Sequence, residues 1–435
     1  MVKKRNIIGE GAYGCVHKPS LHCLNTKPKI NYKNYVSKIM KTEDAQKELK
    51  EFVVIGSYDN TNEFHLGMPI LCQPKLNDKI INDEISGCKH INAKEVKKDP
   101  KDYKILLLKF GGPDLKKLCN SQLKTYLNKN KNKKEKTDKF WLEVHHLLKG
   151  IKFFKENGIV HNDIKPQNIL FDMKTNKLVF IDFGLMRSKD EIISLSKKSD
   201  NFLGIYHWSF PFDCGLMNKN IWSDYKNLTK AKKTVYKNQL SKMIINDEKK
   251  NTFDISIKNP ASFNTLFSYI YADEVSLTDT IKYEYIDQFF HGYNNLISNN
   301  SYDDMLDQTI DSIDVYGLGF TLQYILNCFY RQNVLDLIFF KQLSTFFHKM
   351  YDFNPETREI NIDNLINEYE NILLETGILT RLKKSFENHT IINSKPNLIQ
   401  KELKGIKNET EGFNLFHKTR KPKLKRISKK TRKQK

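Results

Sequence analysis

Two short segments hold residue types that together can transfer a phosphoryl group. His161-Asn162-Asp163-Ile164-Lys165-Pro166-Gln167-Asn168 is followed, one hairpin later, by Asp182-Phe183-Gly184. Two carboxylates, a lysine and an asparagine thus come from two loops that flank a short strand pair. Asp163 can orient an attacking hydroxyl and accept its proton. Asn168 and Asp182 can hold Mg²⁺ against phosphates, and Lys165 can neutralise charge on a γ-phosphoryl group.

Far upstream, Gly9-Glu10-Gly11-Ala12-Tyr13-Gly14-Cys15-Val16 reads G-x-G-x-x-G-x-V. Gly9, Gly11 and Gly14 let a hairpin backbone approach phosphate oxygens with its N–H groups forward. Alone, the pattern equally describes a glycine-rich turn without a ligand. The surrounding sequence is strand–loop–strand, which disfavours a Rossmann dinucleotide site, whose loop opens a helix. Lys38 follows in the apolar strand Tyr35–Met40. By itself it is an edge charge; after a glycine loop it is a candidate ligand for the α- and β-phosphates.

The elements that must position these residues are legible in outline. Residues 6–16 read as two strands around the glycine turn, and Glu43–Ile55 has helical spacing through Ala45, Leu49 and Phe52. Ile105–Phe110 is a strand stopped by Gly111-Gly112-Pro113. Phe140, Trp141, Val144, Leu147, Leu148, Ile151 and Phe154 recur at three- and four-residue steps, so one long amphipathic helix is expected, closed by Gly158. Ile169–Phe171 and Leu178–Ile181 pair across the turn Asp172–Lys177, and another helix runs through Ile313–Phe329. Thr125–Asp138 is expected as a solvated loop. Asn218 to about Asp307 reads as a long insertion without a motif.

H-x-D-x-K-x-x-N followed by D-F-G resembles the signature of eukaryotic-type protein kinases. The resemblance runs from about residue 6 to about 380. It implies an α+β, two-lobed kinase-like fold: a small β-rich N-lobe at 1–112, and a larger, mainly helical C-lobe at 113–385 with an insertion at about 218–307. A C-terminal extension, 386–435, ends in the basic tail 418–435. The implied cofactors are ATP and Mg²⁺, the implied partners proteins that carry Ser or Thr. Lys38 looks like the phosphate-binding lysine, with Glu48 as its helix partner and Glu51 as the alternative. Leu108-Lys109-Phe110 looks like the hinge against adenine, with Leu108 as gatekeeper and Asp114 near the ribose. Val16 and Leu170 would sandwich the adenine ring, and Ser37 would take the place of an alanine above it. Asp314 looks like the aspartate that braces the catalytic loop, and Arg358 like the arginine that pairs with an acid at the end of the activation segment. The string Gly14–Cys23, the V-S-K at Val36–Lys38 and the A-x-x-E helix are most similar to protein kinases of large DNA viruses, of the giant-virus and poxvirus type.

Three further departures from the family pattern stand out. Asn162 replaces the arginine that usually meets an activation-loop phosphate, which implies activity without that switch. Ser194, Ser196 and Ser199 read as ordinary loop serines or modification sites. Phe210-Pro211-Phe212-Asp213 is the best match to A-P-E, with Asp213 in the acidic position facing Arg358. The stretch before it, Gly204–Ser209, lacks the threonine usual in serine/threonine kinases, although Lys165 favours that class over tyrosine kinases. Cys15 reads either as a thiol near ATP or as a small packing residue.

Composition sets the frame. Over 435 residues the chain is 39% hydrophobic, with 27 Phe and 20 Tyr, which argues for a folded globular protein. The most apolar run, Val315–Cys328, is broken by Gln323 and Asn327 and reads as a buried helix. The charged start, Met1–Asn6, does not resemble a secretory signal. Seven scattered cysteines without a C-x-x-C pair read as reduced thiols, hence an intracellular protein, in host cytoplasm or virion if viral.

Other classes compete. A pseudokinase scaffold shares the fold, but Lys38, Asp163, Asn168 and Asp182 are all present. The tail Lys418–Lys435 carries eleven Lys or Arg and no acid, about half of the net charge of +21. It suits a flexible segment with non-specific affinity for polyanions such as nucleic acid. A kinase fold acting on a small molecule stays open through the degenerate docking segment.

Overall fold

A computed structural model describes residues 6–11, 14–24, 30–129, 132–198, 208–245, 261–271 and 279–383. The glycine-loop tip at Ala12 and Tyr13, Ser199, most of Gly204–Ser209 and the basic tail 418–435 lie outside the described residues. The chain divides into two compact units, Met1–Leu379 and Thr380–Lys435. In the second unit residues 380–383 are helical.

The first unit opens with a five-stranded sheet in the order β1-β2-β3-β5-β4. Its strands are β1 (Ile7–Gly11), β2 (Gly14–His17), β3 (Tyr35–Lys41), β4 (Ile70–Cys72) and β5 (Tyr103–Lys109). All neighbouring strands are antiparallel, and Lys38 stands opposite Val16 on one side and Leu106 on the other. α1 (Thr42–Tyr58) packs on the sheet through Ala45, whose neighbours are Met40, Leu106, Leu49 and Leu71. Two short helices, α2 (Asp78–Asp83) and α3 (Ala93–Lys98), bury Ile81 and Val96 against the sheet's other side.

The remainder is helical apart from four short strands. After α4 (Leu115–Lys117) and α5 (Leu123–Asn128) comes α6 (Lys133–Glu156), which buries all seven of the residues expected from the periodicity. The loop expected at Thr125–Asp138 is therefore a correction, since Lys133–Asp138 is the first turn and a half of α6. Thr137 and Asp138 are buried there, and Glu135 pairs with Lys139 at 2.6 Å across one helical turn. Gly158 then reverses the chain at φ +64°.

β6 (Ile159–Val160) leads into the Asp163 loop, β7 (Ile169–Asp172) and β8 (Lys177–Phe180) form a hairpin, and β9 (Arg187–Ser188) pairs with β6. Behind them lie α7 (Lys189–Lys197), α8 (Lys219–Lys226), α9 (Lys230–Ile245), α10 (Ala261–Tyr271) and α11 (Asp279–Asn299). The segment without a sequence motif, 218–307, is thus mostly helix where it is described. α12 (Tyr302–Tyr330) starts at a capping box made by Ser301 and Asp304 and is buried along nearly its whole length. α13 (Leu337–Met350) and α14 (Ile362–Glu375) close the unit, with Trp141 of α6 packed among Phe329, Phe339 and Phe347. No helix among the described residues is long and apolar enough to cross a membrane.

The cysteines correct a second expectation. Cys15 is joined to Cys88 and Cys23 to Cys72, with Cα–Cα distances of 5.8 and 5.7 Å. Cys119, Cys214 and Cys328 stay outside disulfides. Partners 73 and 49 residues apart show no pairing signal in their spacing, because only the sheet and the 85–88 turn bring them together.

Candidate active site

β2 and β3 carry the glycine and lysine positions of the candidate site. An added Cβ on Gly14 would stand 2.6 Å from the Ile39 carbonyl oxygen, so only glycine lets β2 lie this close to β3. Val16, Lys38 and Leu108 share one face of the sheet, because directly opposed residues of antiparallel strands point the same way. Strand alternation also corrects the expectation for Ser37. It lies on the opposite face, fully buried, and accepts a hydrogen bond from Leu21 N at 2.8 Å. Val36 occupies the position on the Lys38 face.

Lys38 forms an ion pair with Glu48 of α1. Of the two acids weighed as its partner, Glu48 is thus the one in contact. Glu51, one turn on, is half-buried, and its carboxyl is pushed up to about 7 by burial and by the nearby Glu48 and Asp182 carboxylates, against Lys38. Glu51 and Asp182 flank Gly184, where an added Cβ would meet Oε2 and Oδ1 at 3.5 and 3.6 Å.

The segment that leaves β5 is held by glycine. Gly112 has φ +96°, and a Cβ there would fall 1.9 Å from the Phe171 carbonyl oxygen. Leu170 lies against Gly111 and forms an isolated bridge with Asp114. Phe110 N donates to the Asn34 carbonyl, and the Lys18 ammonium sits 2.9 Å from the centre of the Phe110 ring. The Asp114 carboxylate accepts from Lys117 N at 2.8 Å, capping α4, so its oxygens already serve a structural role.

The catalytic-loop residues come together. Lys165 Nζ lies 2.7 Å from both Asp163 carboxylate oxygens. Asn168 Nδ2 donates to Asp163 Oδ2 at 2.7 Å and to its carbonyl at 2.8 Å. Burial raises the Asp163 carboxyl above its ordinary value, Lys165 and His161 oppose the shift, and Asp182 adds to it. The loop hangs on Asp314 of α12, which accepts from His161 N at 2.7 Å and Asn162 N at 3.0 Å. Asn162 has φ +64°, a left-handed backbone that asparagine tolerates, and donates through its side chain to the Leu185 carbonyl at 3.2 Å. Asp182 is also left-handed, and Ile181 N ties its segment to the Asn168 carbonyl at 3.0 Å. His161 is buried among Phe154, Phe180 and Phe183, and desolvation lowers its pKa so that the ring is neutral.

These residues suit a nucleoside triphosphate held with a divalent cation. The amide nitrogen of Asn168 is committed to Asp163, which leaves its oxygen, with the Asp182 carboxylate, as the hard donors a divalent cation needs. The glycine-constrained strand at Gly14 and the fixed Lys38 ammonium suit polyphosphate oxygens.

One neighbour of the loop carries no sequence signal. Gln167 Nε2 donates to Tyr269 OH at 2.8 Å, and Tyr269 stacks on Trp208 at 5.0 Å. Tyr269 comes from α10, 102 residues along the chain, and nothing local in the sequence could have placed it beside the loop.

Residues 84–209 match the protein kinase domain family. The chain is 40% identical over 77 residues to a protein of Acanthamoeba polyphaga mimivirus named as a serine/threonine-protein kinase/receptor, covering 18% of this chain and 4% of that protein. It is 36% identical over 89 residues to cyclin-dependent kinase B2-1 of Oryza sativa subsp. japonica, covering 18% of this chain and 25% of that one. The aligned region thus spans a minor part of each relative. Asp163, Asn168 and Asp182 lie inside the matched residues, so the stretch 84–209 is similar to protein kinase domains.

Proposed function

We propose that the chain is a two-lobed serine/threonine protein kinase that uses Mg·ATP. The observation that carries this reading is the joining of Asp163 to both Lys165 and Asn168, beneath a sheet whose Lys38 is paired with Glu48. Bound Mg·ATP would supply the transferable γ-phosphoryl group and a cation to offset its charge.

The chain's own residues do the rest. Lys38, held by Glu48, binds α- and β-phosphate oxygens, while Asn168 Oδ1 and the Asp182 carboxylate hold the cation. Asp163 accepts a hydrogen bond from a serine or threonine hydroxyl, aligns it for attack and takes its proton. Lys165, already beside Asp163, neutralises the phosphoryl oxygens as charge moves onto them. The Asp314 brace keeps the loop in this geometry before substrate arrives. The neutral carboxyl favoured by burial of Asp163 is opposed by Lys165, which preserves the carboxylate that acts as acceptor.

The test is transfer of a radiolabelled γ-phosphate to generic acidic and basic proteins, with Asp163→Ala alongside and phosphoamino-acid analysis of the product. Label on serine or threonine that falls by roughly 10²-fold or more in the variant supports the reading. Label that persists undiminished in the variant refutes the role of Asp163. A wild type that binds Mg·ATP without transfer points to the pseudokinase instead.

A further inference from the structure

Away from the candidate active site, Cys15, His17 and Cys88 converge on the opposite face of β2 from Val16. Cys15 and His17 are two residues apart on the strand and so share a face, while Cys88 arrives from the turn after Ile85–Gly87. The three are 1%, 0% and 8% exposed, and their ligand atoms all lie within 4.8 Å of one another. Among the described residues this is the cluster of His, Cys and acidic groups with such spacing.

His17 is the telling member. Both of its ring nitrogens are buried and make no hydrogen bond of good geometry, with only the Glu84 and Cys15 backbone groups in weaker reach. A buried polar group left unpaired costs stability, so an imidazole in this state calls for a ligand. Two sulfurs and one imidazole are a soft donor set. It suits thiophilic cations and is poorly matched to Mg²⁺ or Ca²⁺, which take oxygen.

We propose that the reduced chain binds one thiophilic d¹⁰ cation, Zn²⁺ or Cu⁺, through Cys15 Sγ, His17 and Cys88 Sγ, and that the Cys15–Cys88 disulfide is the metal-free, oxidised form of the same site. A low-molecular-weight disulfide such as oxidised glutathione drives the interchange. The two ligating thiolates lose two electrons and form the Cys15–Cys88 bond, the S–S bond of glutathione breaks to give two glutathione thiolates, and the cation leaves. Zn²⁺ would complete a tetrahedron with a non-protein fourth ligand, whereas Cu⁺ is satisfied by the three. Because Cys15 follows Gly14 directly, both forms anchor the strand that descends from the glycine loop. Cys23 and Cys72 lie outside the cluster and serve as the internal control.

The full-length chain, reduced and stripped with a chelator, is titrated separately with Zn²⁺, with Cu⁺ against a colorimetric chelator, and with Co²⁺ as a spectroscopic probe. One tight equivalent of Zn²⁺ or Cu⁺ is expected, with a thiolate-to-cobalt charge-transfer band in the near ultraviolet. Cys15→Ser and Cys88→Ser abolish it, His17→Ala weakens it by roughly tenfold or more, and Cys23→Ser/Cys72→Ser retains it. Oxidised glutathione releases the cation from the loaded wild type as the Cys15 and Cys88 thiols, followed by differential alkylation, disappear and two glutathione thiols form. The wild-type band and release need no variant, so they decide the matter even where a substitution prevents folding. A reduced wild type without a stoichiometric equivalent or a charge-transfer band overturns the proposal, as does loss of the Cys15 and Cys88 thiols without release of the cation.

Discussion

Arg358 Nη1 reaches both carboxylate oxygens of Asp213, at 3.0 and 3.2 Å, with both residues buried and 145 positions apart. The same nitrogen meets Ser312 Oγ at 3.2 Å, and the guanidinium faces the Tyr316 ring. The pair therefore fastens the Phe210–Asp213 segment to α12 and to the loop before α14. Removing either partner leaves a buried charge uncompensated. Asp213→Ala or Arg358→Ala is expected to cost about 3–5 kcal/mol in denaturant unfolding. The double variant should cost less than the two single losses combined. Strict additivity would show that the two charges do not interact.

Asp314 braces the catalytic loop with two buried backbone hydrogen bonds, so Asp314→Ala strands the N–H groups of His161 and Asn162. A loss of about 2 kcal/mol or more is expected, together with a fall in phosphoryl transfer. Asp314→Asn keeps one acceptor oxygen and should lie between wild type and alanine. Amide hydrogen exchange at positions 161 and 162 reads the brace directly, and unchanged protection in the alanine variant would contradict it.

Glu48 and Glu51 are one turn apart on α1, yet only Glu48 pairs with Lys38. Glu48→Gln should lower kcat/KM by roughly tenfold, since it weakens the charge-assisted contact that fixes the lysine. Glu51→Gln should leave the ion pair intact and change kcat/KM little at pH 7. Equal losses in both variants would mean that the two acids share the lysine in solution.

Burial lifts the Glu51 carboxyl from 4.5 to about 7 and that of Asp314 from 3.8 to about 7. Where the folded value exceeds the unfolded one, the folded chain binds the proton more tightly. The associated stability is fully present below about pH 4 and is lost as pH rises through about 7. Urea unfolding between pH 5 and pH 7.5 should therefore show stability falling with pH from these two groups. Glu51→Gln removes its share, so its curve should be flatter than that of the wild type. An identical slope would place the proton elsewhere.

The order of chemistry-bearing residues along the chain is what marks the candidate site. Gly14, Lys38, Asp163, Asn168 and Asp182 each stand at a loop or strand position set by short-range pattern, and the long helix around Trp141 follows from spacing alone. The sequence also named Asp314 and Arg358, because each sits in a compact local motif. What it left undecided depended on which face a strand presents and on what lies across the sheet. Ser37 differs from Lys38 by one residue, and strand alternation sends it to the opposite side, onto Leu21 N. The choice of Glu48 over Glu51 depends on how α1 is rotated against β3, which packing on Ala45 determines. The two disulfides and the contact of Tyr269 with Gln167 join residues 49 to 102 positions apart. Such contacts arise only when the sheet and helices close on a common core, and no local periodicity encodes which distant residues will meet.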